Sequence, residues 1–255
     1  MFDTTEFIFW SLIFMRVTGF IVINPIFGRS GVPPLSKGGM VFALTLLIGM
    51  VERSKEVFTP GTTIEYALLL LSEFLIGIGV SYVISLIMYV ISFAGAFIDF
   101  QMGISMANVY DPQTRSQIAL TGSIYQAFFF LLFFAMDGHL MLMKLLVTSG
   151  SLVPYGHAVF SAATAETAWN LFIQCTVLAI QFSFPVIVIE LLANIAVGIL
   201  MKAIPQVNIF VINIQIKVCV GFLLLFLMCF PVGEFLKELV PTMQRMIEEF
   251  MMSMH

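Results

Sequence analysis

Charge is scarce in this sequence. Of 255 residues, 11 are Lys or Arg and 15 are Asp or Glu, a charged share of 10% where a soluble domain carries about 25%. With 60% of its residues hydrophobic, the chain cannot dress an ordinary water-facing surface, which leaves an integral membrane protein or a membrane-derived assembly. No run of basic residues exists, so nucleic-acid binding has nothing electrostatic to start from. The opening MFDTTEFIFW is acidic and lacks the basic region of a cleaved secretory signal, and Arg16 interrupts the first apolar run; the first helix is read as uncleaved. Cys175, Cys219 and Cys229 lie in apolar runs without CxxC spacing, which suits small hydrophobes rather than redox or metal ligands. His139, His157 and His255 are far apart and form no HExxH, so neither a metal nor any other cofactor is expected. The nearest glycine-rich loop, GRSGVPPLSKGG, lacks the GKS or GKT ending of a phosphate-binding loop, so energy for any transport must come from elsewhere.

What the chain has instead is long apolar runs, and their lengths are irregular. A spanning helix needs about 20 apolar residues. Residues 7–27 fit one helix that stops at the breaker NPIFG, and 118–136 and 209–230 fit one each. The stretch 40–51 is too short to span, and a short partner is expected at 140–148. Residues 64–98 and 168–201 are far too long for one perpendicular crossing, the second with a kink expected at Pro185. Basic residues are spread evenly over the connections, so the positive-inside rule sets no orientation. Misfit lengths with a flat charge pattern indicate helices that are tilted, broken or buried in a protein assembly. No internal repeat stands out, and 1–255 reads as one domain including an amphipathic tail, 234–255, broken near its start by Pro241.

Ionisable residues inside apolar runs are costly and point to function or to pairing; here they are Arg16, Glu65, Glu73, Asp99, Glu190 and Lys217. Glu73, Gly77, Ser81 and Ser85 recur every four residues, an acid above a groove of small residues that admits another backbone. Glu190, Asn194, Gly198 and Lys202 repeat that pattern. Such faces meet protein, because lipid offers their polar atoms no partner. Catalysis finds no constellation. Gly122–Ser123 has no histidine in an apolar helix to activate the serine, and Asp99 has no second buried aspartate to share a proton. An ion-coupled small-solute transporter is the alternative, with Glu73, Asp99 and Glu190 along a path and helices broken at Gly77–Gly79 or Pro185.

Three stretches, RVTGFIVINPIFGRSGVPPLSKGG (16–39), GAFIDFQMGISMANVYDPQTR (95–115) and FPVIVIELLANIAVGILMKAIPQVNIFVINIQIKVCVG (184–221), together resemble the FliR/SpaR family of flagellar and type III secretion export components. The resemblance runs nearly the whole chain, and Pro205, Gln206, Asn208 and Phe210 carry its most specific element. The family usually has a proline just before the lysine of the last element, where this chain reads IQIK, and an arginine where Lys202 stands. Asn213, Gln215 and Lys217 alternate with isoleucines, a period of two that argues against a helix there.

The resemblance implies an all-α subunit of long, kinked helices and helical hairpins. It implies a hetero-oligomeric, helical pore with FliP-type and FliQ-type subunits and an FlhB-type neighbour, without nucleic acid, at the flagellar basal body in the bacterial inner membrane. Exported unfolded proteins would pass through it. It further implies a pore-closing loop at 106–117, led in by Met102 and Ile104, with Met106, Val109 and Tyr110 filling the lumen and Asp111–Pro112 setting a turn. Arg16, Glu73, Asp99, Gln101, Glu190, Asn194, Lys202, Pro205, Gln206, Asn208 and Lys217 are then expected as polar positions packing subunits together. The Met-rich tail MQRMIEEFMMSMH is a second candidate for binding a partner, the other reading being a packed terminal helix.

Overall fold

The computed structural model describes residues 4–29, 31–52, 60–104, 119–157, 160–203 and 209–254. Among these residues the chain is helical with no strand, as expected. The helices are α1 (Thr4–Ile23), α2 (Pro34–Val51), α3 (Thr63–Gln101), α4 (Leu120–Ala135), α5 (Gly138–Leu152), α6 (Ala162–Ala203), α7 (Ile209–Leu227) and α8 (Cys229–Met252). Four of them, α1, α2, α3 and α6, are long and apolar enough to cross a membrane: the chain is an all-α polytopic membrane protein.

Helix ends follow local chemistry. Asn24 stands before Pro25, where a helical conformation is disfavoured. Its Oδ1 accepts from the Ile26 N–H at 2.8 Å and the Phe27 N–H at 3.3 Å, a side-chain turn that ends α1. α2 begins earlier than the apolar run 40–51 suggests, because Pro34 at the first turn needs no N–H partner there and has its φ preset; the residues added at this end bring it to spanning length. At the start of α3 the Glu65 N–H donates to Thr62 Oγ1 at 3.2 Å, and Glu65 Oε2 accepts from the Gly61 N–H at 2.8 Å. This is a reciprocal cap, so Glu65 belongs to a helix entrance rather than to an intramembrane ionic site. Gly103, at φ 77°, stops α3 where a side chain would be strained.

Several expected breaks are absent. α3 runs unbroken through Gly77–Gly79 and α6 through Pro185, which removes the broken helices that the transporter reading needs. α8 continues through Pro241. Pro241 and Lys237 are both exposed, so the turn in which the proline leaves a carbonyl without its donor lies on the outside of this chain and not in its core. α7 is helical through Asn213, Gln215 and Lys217. Every other residue of Ile209–Leu227 except Gly221 is apolar, so alternation is a poor guide there, and an apolar setting favours the conformation that satisfies its own backbone.

The chain groups into two compact units, 1–87 with 137–173 and 241–255, and 88–136 with 174–240. α3, α6 and α8 each supply residues to both. In the first unit α1 lies against α3 at the small-residue stripe. A Cβ on Gly77 would overlap the Arg16 carbonyl, one on Gly19 would overlap that of Phe74, and Ser81 Oγ donates to the Phe20 carbonyl at 2.7 Å. The groove foreseen below Glu73 thus receives α1 of the same chain. α2 closes on α1 through Gly49, whose Cβ would collide with the Trp10 ring. The C-terminal half of α8 covers the middle of α3, with Phe250 and Met254 filling the space over Gly79. Met243, Met246, Ile247, Met251 and Met254 are all buried. The Met-rich tail therefore spends its apolar face on its own chain, as a packed terminal helix, and is not an open docking strip.

Candidate functional site

In the first unit Arg16, on α1, is 1% exposed. Its Nε–H donates to Glu73 Oε2 at 2.6 Å, one terminal NH2 group to Ser149 Oγ at 3.2 Å and the other to the Val153 carbonyl at 2.9 Å. The guanidinium carbon lies 4.2 Å from the centroid of the Tyr155 ring, a cation–π contact. Glu73 Oε1 accepts from the Gly156 N–H at 2.9 Å. One buried ion pair thereby ties α1, α3, α5 and the turn after α5 together, and a charge this deeply buried is tolerable only when paired and hydrogen-bonded throughout. Burial pushes the Tyr155 phenol up to about 12, with the Arg16 guanidinium pulling the other way, so the ring stays neutral beside its cation. Arg16 and Glu73 stand 57 positions apart; the sequence presents them as two isolated costs and does not reveal that they cancel. Ser149, Val153, Tyr155 and Gly156 carried no signal.

In the second unit Asp99, on the last turn of α3, is 2% exposed. It accepts from the Thr121 N–H at 3.3 and 3.2 Å and from the Thr121 hydroxyl. A turn earlier, Gly95 presses on Gly122 so closely that a Cβ would overlap the Gly122 backbone. One turn earlier again, Gln126 Nε2 donates to Ser92 Oγ. Met102, expected to lead into the loop 106–117, is fully buried, its side chain seated where a Cβ on Gly221 of α7 would be. Ile104 and Gln101 are half-buried.

Glu190, on α6, is completely covered, and among the described residues neither of its carboxylate oxygens has a hydrogen-bond partner. Lys217 of α7 is half-buried and attracts it electrostatically. Asn194 is half-buried, Lys202 exposed, and Gly198 faces open space. His139, expected outside the apolar helices, is the second residue of α5. Among the described residues no three His, Cys, Asp or Glu side chains gather as metal ligands. Met106, Val109, Tyr110, Asp111, Pro112, Pro205, Gln206 and Asn208 lie outside the described residues.

Polar side chains buried and paired within helices of this length fit a membrane-derived assembly part. The model of the bacterial export proteins, family 1, matches residues 7–243. The chain belongs to that family. Its relatives include the flagellar biosynthetic protein FliR of Bacillus subtilis, 30% identical over 220 residues that cover 84% of this chain and 83% of the relative. The FliR of Escherichia coli is 29% identical, over 84% and 80%. The secretion system apparatus protein SsaT of Salmonella typhimurium is 23% identical, over 77% and 76%. The matched region of this export protein contains every polar cluster described, from Arg16 to Lys217, and ends inside α8. The export family also includes chains of the same overall span, so the Arg16 pair, the Asp99 contacts and Glu190 lie within the shared body.

Proposed function

We propose that this chain is a core subunit of a flagellar type III protein-export gate in the bacterial inner membrane. In this reading it joins FliP-type and FliQ-type subunits, beside an FlhB-type subunit, around a pore for unfolded flagellar proteins. The relatives' names support the export setting. The physical support is the mismatch between the helices and a bilayer. The 39 residues of α3 make a helix of about 58 Å against a hydrocarbon core of about 30 Å. Near its middle, at Gly79, it is covered by the part of α8 whose outer side carries Arg245, Glu248 and Glu249, charges that hydrocarbon does not accept. Lipid therefore cannot surround α3 along its whole length. α6, by contrast, has only 22% of its most apolar window buried in its own chain. Trp169, Phe184, Leu191, Leu192, Ile195 and Ile199 are left exposed on it, an apolar surface suited to neighbouring subunits.

The connection between α3 and α4 is assigned the closing role that the family resemblance implies, with Met106, Val109 and Tyr110 as the sealing side chains. Two measurements test the proposal. Affinity purification of a tagged chain should yield one large particle containing FliP-type and FliQ-type subunits; a stable monomer that carries a small solute into liposomes overturns it. Deleting 107–113 should leave the particle assembled and the cells permeable to small ions; an assembled particle with parental conductance removes the closing role.

A further inference from the structure

Three buried oxygens of the α6–α7 pair have no hydrogen-bond partner among the described residues: both of the Glu190 carboxylate and Oδ1 of Asn213. Acceptors left unmet away from water are costly, a carboxylate most of all. Glu190 and Asn194 stand one turn apart on α6, and Asn213 and Lys217 one turn apart on α7, so each pair shares a face of its helix. α7 starts six positions after α6 ends, a spacing at which consecutive helices pack antiparallel. In that arrangement a step forward on one helix is matched by a step back on the other, so a register that sets Glu190 against Lys217 also sets Asn194 against Asn213. Lys217 is half-buried and close enough to attract Glu190, yet it stops short of a hydrogen bond to it. Its ammonium carries three donors on a flexible four-carbon stem, one for each of the three oxygens. Leu191, Leu192 and Ile195, beside Glu190 in the sequence, are each more than half exposed. Covering such a surface removes water from the hairpin, and a dehydrated ammonium needs acceptors.

We propose that Lys217 is the internal counter-ion of Glu190, drawn in on assembly: when neighbouring subunits cover the α6–α7 pair, its ammonium moves onto the Glu190 carboxylate and the Asn213 amide oxygen. The proposal rests on the assembly reading above. It departs from the expectation that Glu190 and Lys217 each serve another subunit, because here both charges are spent within one chain. Glu190 then burdens the free subunit and stabilises the complex.

The test compares the parent, Glu190→Leu, Lys217→Met and the double variant. The yield of complex copurified with the tagged chain is measured at matched chain abundance, and the free chains are unfolded in detergent beside it. Glu190→Leu strands the ammonium in the complex and should lower the yield roughly 10- to 100-fold, the range for hydrogen bonds to charged groups. Adding Lys217→Met removes the stranded charge and should return the yield to within about threefold of the parent. In the free chains the two substitutions should act additively, since the pair is not yet made. A parental yield in Glu190→Leu overturns the proposal. So does a loss that Lys217→Met fails to repair, which would give Glu190 a donor from another subunit. Coupling as large in the free chains as in the complex overturns the dependence on assembly. A parent that brings down no complex overturns the assembly reading instead, and this proposal with it.

Discussion

Replacing Arg16 by methionine should be among the most damaging single changes in the chain. The substitution removes donors to Glu73, Ser149 and the Val153 carbonyl, and it leaves the fully buried Glu73 carboxylate with the Gly156 N–H. Breaking a buried ion pair from one side costs about 3–5 kcal/mol, because the surviving charge keeps its desolvation penalty and loses its compensation. At about 1.4 kcal/mol per factor of ten, the ratio of folded to unfolded chains falls roughly 140- to 4,000-fold, enough to unfold a marginal protein. Glu73→Leu alone strands the guanidinium and should cost as much. The double variant Arg16→Met/Glu73→Leu removes both charges and leaves an apolar site of similar volume, so it should return to within about 2 kcal/mol of the parent. Denaturant unfolding of the four proteins in detergent micelles, assembled into a double-mutant cycle, reads the coupling directly. Single variants within about 1 kcal/mol of the parent, or a double variant as unstable as the sum of the singles, would refute the pairing argument.

Gly77→Leu should lower chain abundance by a destabilisation of about 1–3 kcal/mol, since its Cβ meets α1 backbone, while Gly198→Ala, with open space around it, should be neutral or mildly stabilising; immunoblotting of matched cultures compares them. Pro241→Ala restores a helical N–H on the exposed side of α8 and should raise the unfolding midpoint in a thermal melt, a drop contradicting the claim that the proline is only tolerated. Glu190→Leu removes a buried carboxyl whose oxygens lack hydrogen-bond partners among the described residues and should stabilise the chain by about 1–3 kcal/mol, measured in the same detergent unfolding assay; destabilisation would mean that the carboxylate has a partner that matters.

Apolar length and helical spacing were readable because they are local properties. The overlong runs became α3 and α6, and the Glu73–Gly77–Ser81 stripe met a backbone as its small residues require. The misreadings also have local causes. Pro34 looks like part of a loop until its place in a first turn is known, and Pro241 looks like a break until its exposed side is known. The two-residue alternation at 213–217 dissolves in a segment where almost every neighbour is apolar. The tail's methionines suited a partner or a core equally well, and only the packing of Phe250 and Met254 over Gly79 shows which. Pairings were beyond reach. Nothing in the order of residues says that Arg16 meets Glu73, that Asp99 caps a helix starting 21 positions later at Leu120, or that Met102 needs the missing side chain of Gly221.

The exposed apolar side of α6 bears most directly on whether these helices were shaped by protein or by lipid. Photocrosslinking amino acids placed at Trp169, Phe184, Leu192 and Ile195, and activated in cells with an intact export apparatus, identify what lies against each position. The account expects adducts with other polypeptides of the apparatus at all four. Phospholipid adducts alone, along the whole of α6, would contradict it.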